Sequence, residues 1–191
     1  MNNSFSRLLC ITWTLAVIML YPIIAFSDEL ITYKNNSHNF VIKYPKIWKL
    51  YSPREVEKKT NVLLSPSKNT VAIIANPNNY DQNVNIQVIE GVQELTLTDT
   101  QIRDIARRMD QSFPQQFELF VKISDRIILV DKHKALEYTF KALRKDIQIQ
   151  QKQITIVKNG KVYIVTCTAR DTEFKGLDDK YFQILINSIK L

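Results

Sequence analysis

The sequence predicts an α+β domain, an antiparallel β-sheet flanked by helices on both faces in an α/β/α sandwich. Three observations carry that prediction. Beyond Glu29 the chain reads mainly as short strands separated by Pro, Asn and Asp. Leu136, Tyr138, Phe140 and Ala142 alternate with Glu137, Thr139 and Lys141, the period-2 pattern of a sheet with one buried face. Near the C-terminus both Val162/Ile164 and Tyr163/Val165/Cys167/Ala169 are apolar, so that strand needs cover on both sides, and two amphipathic helical stretches are available to supply it.

The prefix comes first. Residues 1–27 carry one charge, Arg7, followed by an uncharged apolar run from Leu8 to Phe26, with Ala25 and Ser27 at the small-residue positions that precede a signal cleavage site. Residues 1–27 therefore read as a signal peptide, and the run 8–26 is also long enough for an uncleaved membrane anchor. Cys10 lies at the very start of that run, not after it, and follows bulky Leu9, so it is not a lipidation site. The expectation is an exported chain, periplasmic or secreted, with residues 28–191 as a single domain. Losing Arg7 leaves 25 basic against 19 acidic residues, a net charge of +6. One cysteine, Cys167, remains, so no internal disulfide can form and stability must come from packing.

Strands are expected at Leu30–Tyr33, Asn39–Tyr44, Asn61–Leu64, Val71–Asn76 and Asn83–Glu90. The turn Ser65–Asn69 joins the third to the fourth, and a loop at Asn76–Asn79 precedes the fifth. Thr98 and Gln101 form a capping box for a helix whose Ile102, Ile105, Ala106, Met109 and Phe113 repeat at helical spacing up to Pro114. On its polar face Asp99/Arg103 and Asp104/Arg108 are spaced for i,i+4 pairing. Further strands are expected at Phe117–Ile123, Arg126–Val130, Lys134–Ala142, Asp146–Val157 and Val162–Ala169. Apolar parity flips between Ile147/Ile149 and Ile154/Ile156, which predicts a bulge near Gln150–Gln153. Asn159-Gly160 marks a hairpin joining Ile154–Val157 to Val162–Val165. A last helix is expected over about Thr172–Asn187, with Phe174, Leu177, Tyr181, Ile184 and Leu185 on its apolar stripe.

Phe40-Val41-Ile42-Lys43-Tyr44-Pro45-Lys46-Ile47-Trp48 resembles the F-x-I-x-Y-P-x-x-W opening of the PsbP-like superfamily, whose fold is shared by a photosystem II extrinsic protein, a yeast Ran-binding protein and exported bacterial proteins. The likeness extends over residues 30–191 and ends at Ile186–Lys190, where Ile189 replaces the usual aromatic of an I-x-x-S-F tail; Ile47 also departs from the pattern. The resemblance implies a PsbP-like fold. The motif is structural and selects no function.

Composition narrows the function. With 45% apolar and 24% charged residues the chain is globular. Gly91, Gly160 and Gly176 are too scattered for a phosphate loop or dinucleotide fingerprint, and His38 and His133 stand in no metal-ligand spacing, so no cofactor or metal is assigned. Cys167 reads as a small buried hydrophobe, and Asp171, Glu173, Asp178 and Asp179 read as helix-terminal acids. A non-enzymatic binding or accessory module of the cell envelope fits best, with a protein or an anionic membrane surface as partner and no role for nucleic acid. The candidate anionic-partner surface is Arg103, Arg107, Arg108, Lys141, Arg144 and Lys145. The alternative is a small-molecule or lipid carrier with a pocket between sheet and helix.

Overall fold

A computed structural model of the chain describes residues 29–57, 67–94, 96–144 and 146–191. The expected signal or anchor, the expected strand Asn61–Leu64 and Lys145 lie outside the described residues. β1 (Leu30–Asn35) and β2 (Phe40–Pro45) form a two-stranded antiparallel sheet with Leu30 opposite Pro45 and Asn35 opposite Phe40. β3 (Lys49–Tyr51), α1 (Pro53–Glu57), β4 (Thr70–Asn76) and β5 (Asn79–Glu90) precede the long helix α2 (Asp99–Gln116). β6 (Glu118–Val130), β7 (His133–Arg144), β8 (Ile147–Lys158) and β9 (Lys161–Arg170) follow. The chain closes in α3 (Asp171–Leu177), a π-helical turn (Asp178–Phe182) and α4 (Gln183–Asn187). The main sheet has seven strands in the order β3-β4-β5-β9-β8-β7-β6, paired antiparallel throughout.

Local chemistry sets these boundaries. The Thr98 side chain accepts from the Gln101 backbone N–H and the Gln101 side chain accepts from the Thr98 N–H, which closes the expected capping box. Pro114 does not stop α2. It sits in the last turn, where few backbone bonds remain to be broken, and the helix runs on to Gln116. Asn159 and Gly160 both have positive φ, 51° and 75°, as a two-residue primed hairpin turn requires, and Val157 pairs with Val162 as expected. Between β4 and β5 only Pro77 and Asn78 intervene, a turn tighter than the expected loop.

Two strand expectations need correction. The stretch 118–130 is one strand, β6, in which register shifts near Glu118–Val121 and Lys122–Ser124 absorb the irregularity that reads as a break. β8 has no bulge; its pairing with β7 and β9 is regular throughout. Its parity flip is real. Ile149 and Val157 enter one hydrophobic cluster while Ile154 and Ile156 enter another, so alternate side chains of one straight strand serve different cores.

The larger cluster gathers Phe40, Ile42, Tyr44 and Trp48 with the odd residues of β9 and with Phe174, Phe182 and Leu185. Trp48 stacks 5.6 Å from Tyr181 and 5.9 Å from Phe182. Val41 and Lys190 exchange backbone hydrogen bonds of 2.8 and 2.9 Å, fixing the first hairpin to the end of the chain. The second cluster joins Ile102, Ala106 and Met109 of α2 to Leu136, Tyr138, Phe140 and Ala142 of β7. A third joins Tyr51, Val56, Ile73 and Ala75 under α1. Each fully buried side chain of this size contributes about 1.5–3 kcal/mol.

Candidate functional site

The sheet surface that receives α2 divides into a sealed half and an open half. Over β7, α2 ends in an aromatic nest: Phe113 lies 5.1 Å from Phe140 and 5.7 Å from both Tyr138 and Phe117. Beyond the nest the same surface turns polar. The antiparallel registers place Thr168 opposite both Gln151 and Asn83, and Thr166 opposite both Gln153 and Asn85. Directly paired residues project to one side, so the strands β8, β9 and β5 carry two parallel rows, Gln151–Thr168–Asn83 and Gln153–Thr166–Asn85. These rows, with Gln87, floor a cleft of about 190 Å³ whose walls include Phe113, Gln116, Phe117 and Arg144.

The hydrogen bonding of this floor is incomplete. Gln151 Nε2 donates to Thr168 Oγ1 at 3.0 Å, and Asn83 Nδ2 donates to the Tyr80 carbonyl at 3.0 Å. Asn85 Oδ1 is buried and has no hydrogen-bond partner among the described residues. Partial burial draws the Arg144 guanidinium below its ordinary pKa, and Arg144 pairs with no carboxylate among the described residues. Sequence reasoning missed these rows. Their signal is present, because Asn83, Asn85 and Gln87 interleave with apolar Val84, Ile86 and Val88; what a sequence cannot supply is the register that aligns them with Thr166, Thr168, Gln151 and Gln153.

Of the six basic residues expected to form one surface, the five among the described residues do not gather in one cleft. Arg103 and Arg107 line a second cleft of about 410 Å³ between α2 and β6, together with Arg126. Arg108 is exposed elsewhere on α2, Lys141 bonds Asp171 at 2.8 Å, Arg144 belongs to the polar cleft and Lys145 lies outside the described residues. The expected helix pairs are replaced as well. Asp99 takes Lys134 and Asp104 takes Arg107, each at 2.8 Å, because a lysine of β7 and an i+3 arginine reach those carboxylates, and Arg103 acts on Asp99 only at longer range. Arg103 bonds no carboxylate among the described residues.

Lys122 anchors the strand side of this second cleft, bonding Asp110 and Asp125 at 2.8 Å each. Tyr138 donates to Asp110 at 2.6 Å. Burial opposes ionisation of Asp110, yet the bonds from Lys122 and Tyr138 outweigh it and hold the carboxyl below its ordinary pKa. Burial and the bond to Asp110 push the Tyr138 phenol well above its ordinary range.

β6 ends the seven-stranded sheet, and among the described residues no strand pairs with its outer edge. Leu119 and Leu129 are each 71% exposed and Val121 is 57% exposed. Leu119 also has φ 48°, a left-handed conformation that costs a bulky residue about 1–2 kcal/mol. Long, apolar, unpaired edges are normally blunted by charge, proline or brevity. β6 carries charges at Lys122, Asp125 and Arg126 and two register shifts, yet it still exposes Leu119, Val121 and Leu129 beside the cleft that holds Arg103 and Arg107.

A model of the family described as PsbP-like protein matches residues 25–191. The chain belongs to the PsbP-like protein family. The solution structure of cyanobacterial PsbP (CyanoP) from Synechocystis sp. PCC 6803 is similar, with a TM-score of 0.62 and 15% identity over 86% of this chain and 93% of that one. The crystal structure of the Saccharomyces cerevisiae Ran-binding protein Mog1p is similar with a TM-score of 0.53 and 6% identity, covering 86% and 96%. At these identities the likeness is one of fold. A comparison with curated proteins found no match.

Within this PsbP-like fold the opening motif is core. Phe40, Ile42, Tyr44 and Trp48 are all buried, and Ile189, at the position of the tail aromatic, is buried with them. Cys167 is fully buried, and desolvation pushes its thiol far above the ordinary range, so it packs as a small hydrophobe. Asp171 and Glu173 stand in the first turn of α3 as the sequence suggests, but Asp178 instead receives the buried Lys152 ammonium on both oxygens at 2.6 Å. Among the described residues no three His, Cys, Asp or Glu side chains gather as metal ligands, and no helix is long and apolar enough to cross a membrane.

Proposed function

We propose that this PsbP-like chain is an exported, non-enzymatic binding or accessory module of the cell envelope, an α/β/α sandwich that takes an acidic, extended segment of a protein partner as an added strand on β6. The observation that carries this reading is the β6 edge. A free strand edge offers the partner a row of backbone hydrogen bonds, and Leu119, Val121 and Leu129 offer exposed apolar anchors for alternate side chains. Charge selects the partner's sign: beside β6, Arg103 makes no hydrogen bond or close ion pair with a carboxylate among the described residues, and the domain without its prefix carries a net charge of +6 from 25 basic and 19 acidic residues. Mog1p, of similar fold, is a Ran-binding protein, so this architecture supports protein recognition elsewhere.

Export rests on the apolar run Leu8–Phe26 and the small residues Ala25 and Ser27. The absence of catalysis rests on the sealed Cys167 thiol and on the dispersal of the ionisable groups into ion pairs. The lipid-carrier alternative fits less well. The apolar space under the end of α2 is filled by its own aromatic rings, the cleft beside it is floored by amides and hydroxyls, and the cleft of about 410 Å³ between α2 and β6 sets Arg103, Arg107, Asp110, Asp125 and Arg126 around its apolar residues, a charged lining unsuited to a hydrocarbon.

Site-specific photo-crosslinking in intact cells tests the reading. Probes at positions 119 and 129 should capture one and the same protein through an acidic segment, and Arg103→Glu should abolish that capture, while a probe at Thr32 on the first hairpin should not capture it. Equal capture from position 32, or capture from 119 and 129 that survives Arg103→Glu, would contradict it.

A further inference from the structure

The polar cleft makes no part of that edge-binding reading, yet it has the composition of a ligand site. We propose that the cleft beside Arg144 binds a small polar ligand bearing a carboxylate and an adjacent O–H or N–H donor, such as a hydroxy acid, an amino acid or the free carboxy-terminus of a peptide.

Three features assign this chemistry. First, the Arg144 guanidinium borders the cleft, is half-buried and has no carboxylate partner among the described residues, so it is set to receive an anion in its planar fork. Second, Asn85 lines the cleft and its Oδ1 is buried with no hydrogen-bond partner among the described residues, a cost that is relieved when the amide turns its oxygen onto a donor in the cleft. A bare anion cannot supply that donor; a ligand with an O–H or N–H beside its carboxylate can. Third, the rest of the floor consists of Thr hydroxyls and Gln and Asn amides, groups that donate and accept, which suits a small polar body and not a hydrocarbon. The volume of about 190 Å³ is below the roughly 300–1,000 Å³ typical of sites for drug-sized molecules, which limits the buried part of the ligand to a few heavy atoms.

The Lys–carboxylate pairs elsewhere make the contrast. Lys122, Lys134, Lys141 and Lys152 each hold an acid of the protein itself, so an added anion would have to displace a resident one. At Arg144 it would displace only water.

The test is titration of the purified protein, expressed from the full-length chain, followed by NMR of the side-chain amides of Asn85 and Gln153. Probes are L-lactate, glycine, acetate, inorganic phosphate, and Gly-Gly-Ala as its free acid and as its C-terminal amide. Lactate or glycine, or the free-acid peptide, should give saturable shifts at or below millimolar concentration. Acetate, which lacks the donor, should bind at least about tenfold more weakly, and Arg144→Gln should weaken binding by a similar factor. Binding of the free-acid peptide but not of its amide identifies a chain terminus as the source; binding of lactate or glycine alone identifies a free small acid. Should Arg144→Gln fail to fold, Asn85→Asp serves instead: it keeps the shape, sets a negative charge against the carboxylate and should abolish binding. The proposal is overturned if no carboxylate gives saturable shifts, if acetate or phosphate binds as tightly as lactate and glycine, or if neither variant changes the affinity.

Discussion

The two edges of the main sheet solve the same problem differently. β3 is three residues long, its Tyr51 is buried against Val56 of α1 and Ile73, and the Tyr51 ring lies 5.8 Å from that of Tyr80. β6 is thirteen residues long, bulged, and presents Leu119, Val121 and Leu129 to solvent. A short, covered edge is the usual protection against unwanted strand pairing. One edge is short and covered and the other long and exposed: aromatic packing carries stability at the β3 end, and on the proposed reading β6 is the edge that takes a partner.

The largest effect expected from this contrast is thermodynamic. Tyr51→Ala should cost about 3 kcal/mol in denaturant unfolding, because it empties a buried aromatic site, whereas Leu129→Ala should stay within about 0.5 kcal/mol. Equal costs would end the comparison. Next comes binding: Leu119→Asp and Leu129→Asp together should weaken partner association at least about tenfold, since exposed anchors are replaced by charges that an acidic partner repels, while Lys49→Glu on β3 should leave it unchanged. Smaller still, Leu119→Gly should raise stability by about 1 kcal/mol by relieving the left-handed leucine, and should weaken the partner at the same time. A stabilised variant that binds as before would mean that the strained leucine has no part in recognition.

The smallest effect is the pH dependence of the tie between β6 and α2. Asp110 is held below its ordinary pKa in the folded state, so its contribution is present above the unfolded carboxylate range and is lost as pH falls through the folded value. Asp110→Asn should therefore flatten the stability profile below about pH 4 and leave its neutral limb parallel to that of the parent. A variant whose acid limb is unchanged would show that Lys122 holds β6 without help from Asp110.

Sequence periodicity was most informative where one element meets one core. The alternation of Leu136, Tyr138, Phe140 and Ala142 and the spacing of Ile102, Ala106 and Met109 each mark a face, and those faces meet in one cluster. β8 misled the reading because a strand buried on alternate sides by two different cores imitates a bulge. β3 and α1 escaped it because three and five residues are too few to display a period. Arg144 was legible as one residue of a basic run, but its neighbours Asn83 and Asn85 come from a strand far earlier in the chain and Thr166 and Thr168 from a later one, joined only by register. The exposure of Leu119 and Leu129 was hidden for a related reason. Apolar residues in a strand read as core until the strand proves to be an edge.

Hydrogen–deuterium exchange of the protein bound to its crosslinked partner tests the central claim most directly. If the partner adds a strand to β6, the outward-facing amides of Glu118–Val130 should slow markedly on binding while those of Lys49–Tyr51 keep their free-state rates. Protection that falls on the β3 edge, or that leaves β6 amides exchanging as in the free protein, would contradict the assignment of β6 as the binding edge.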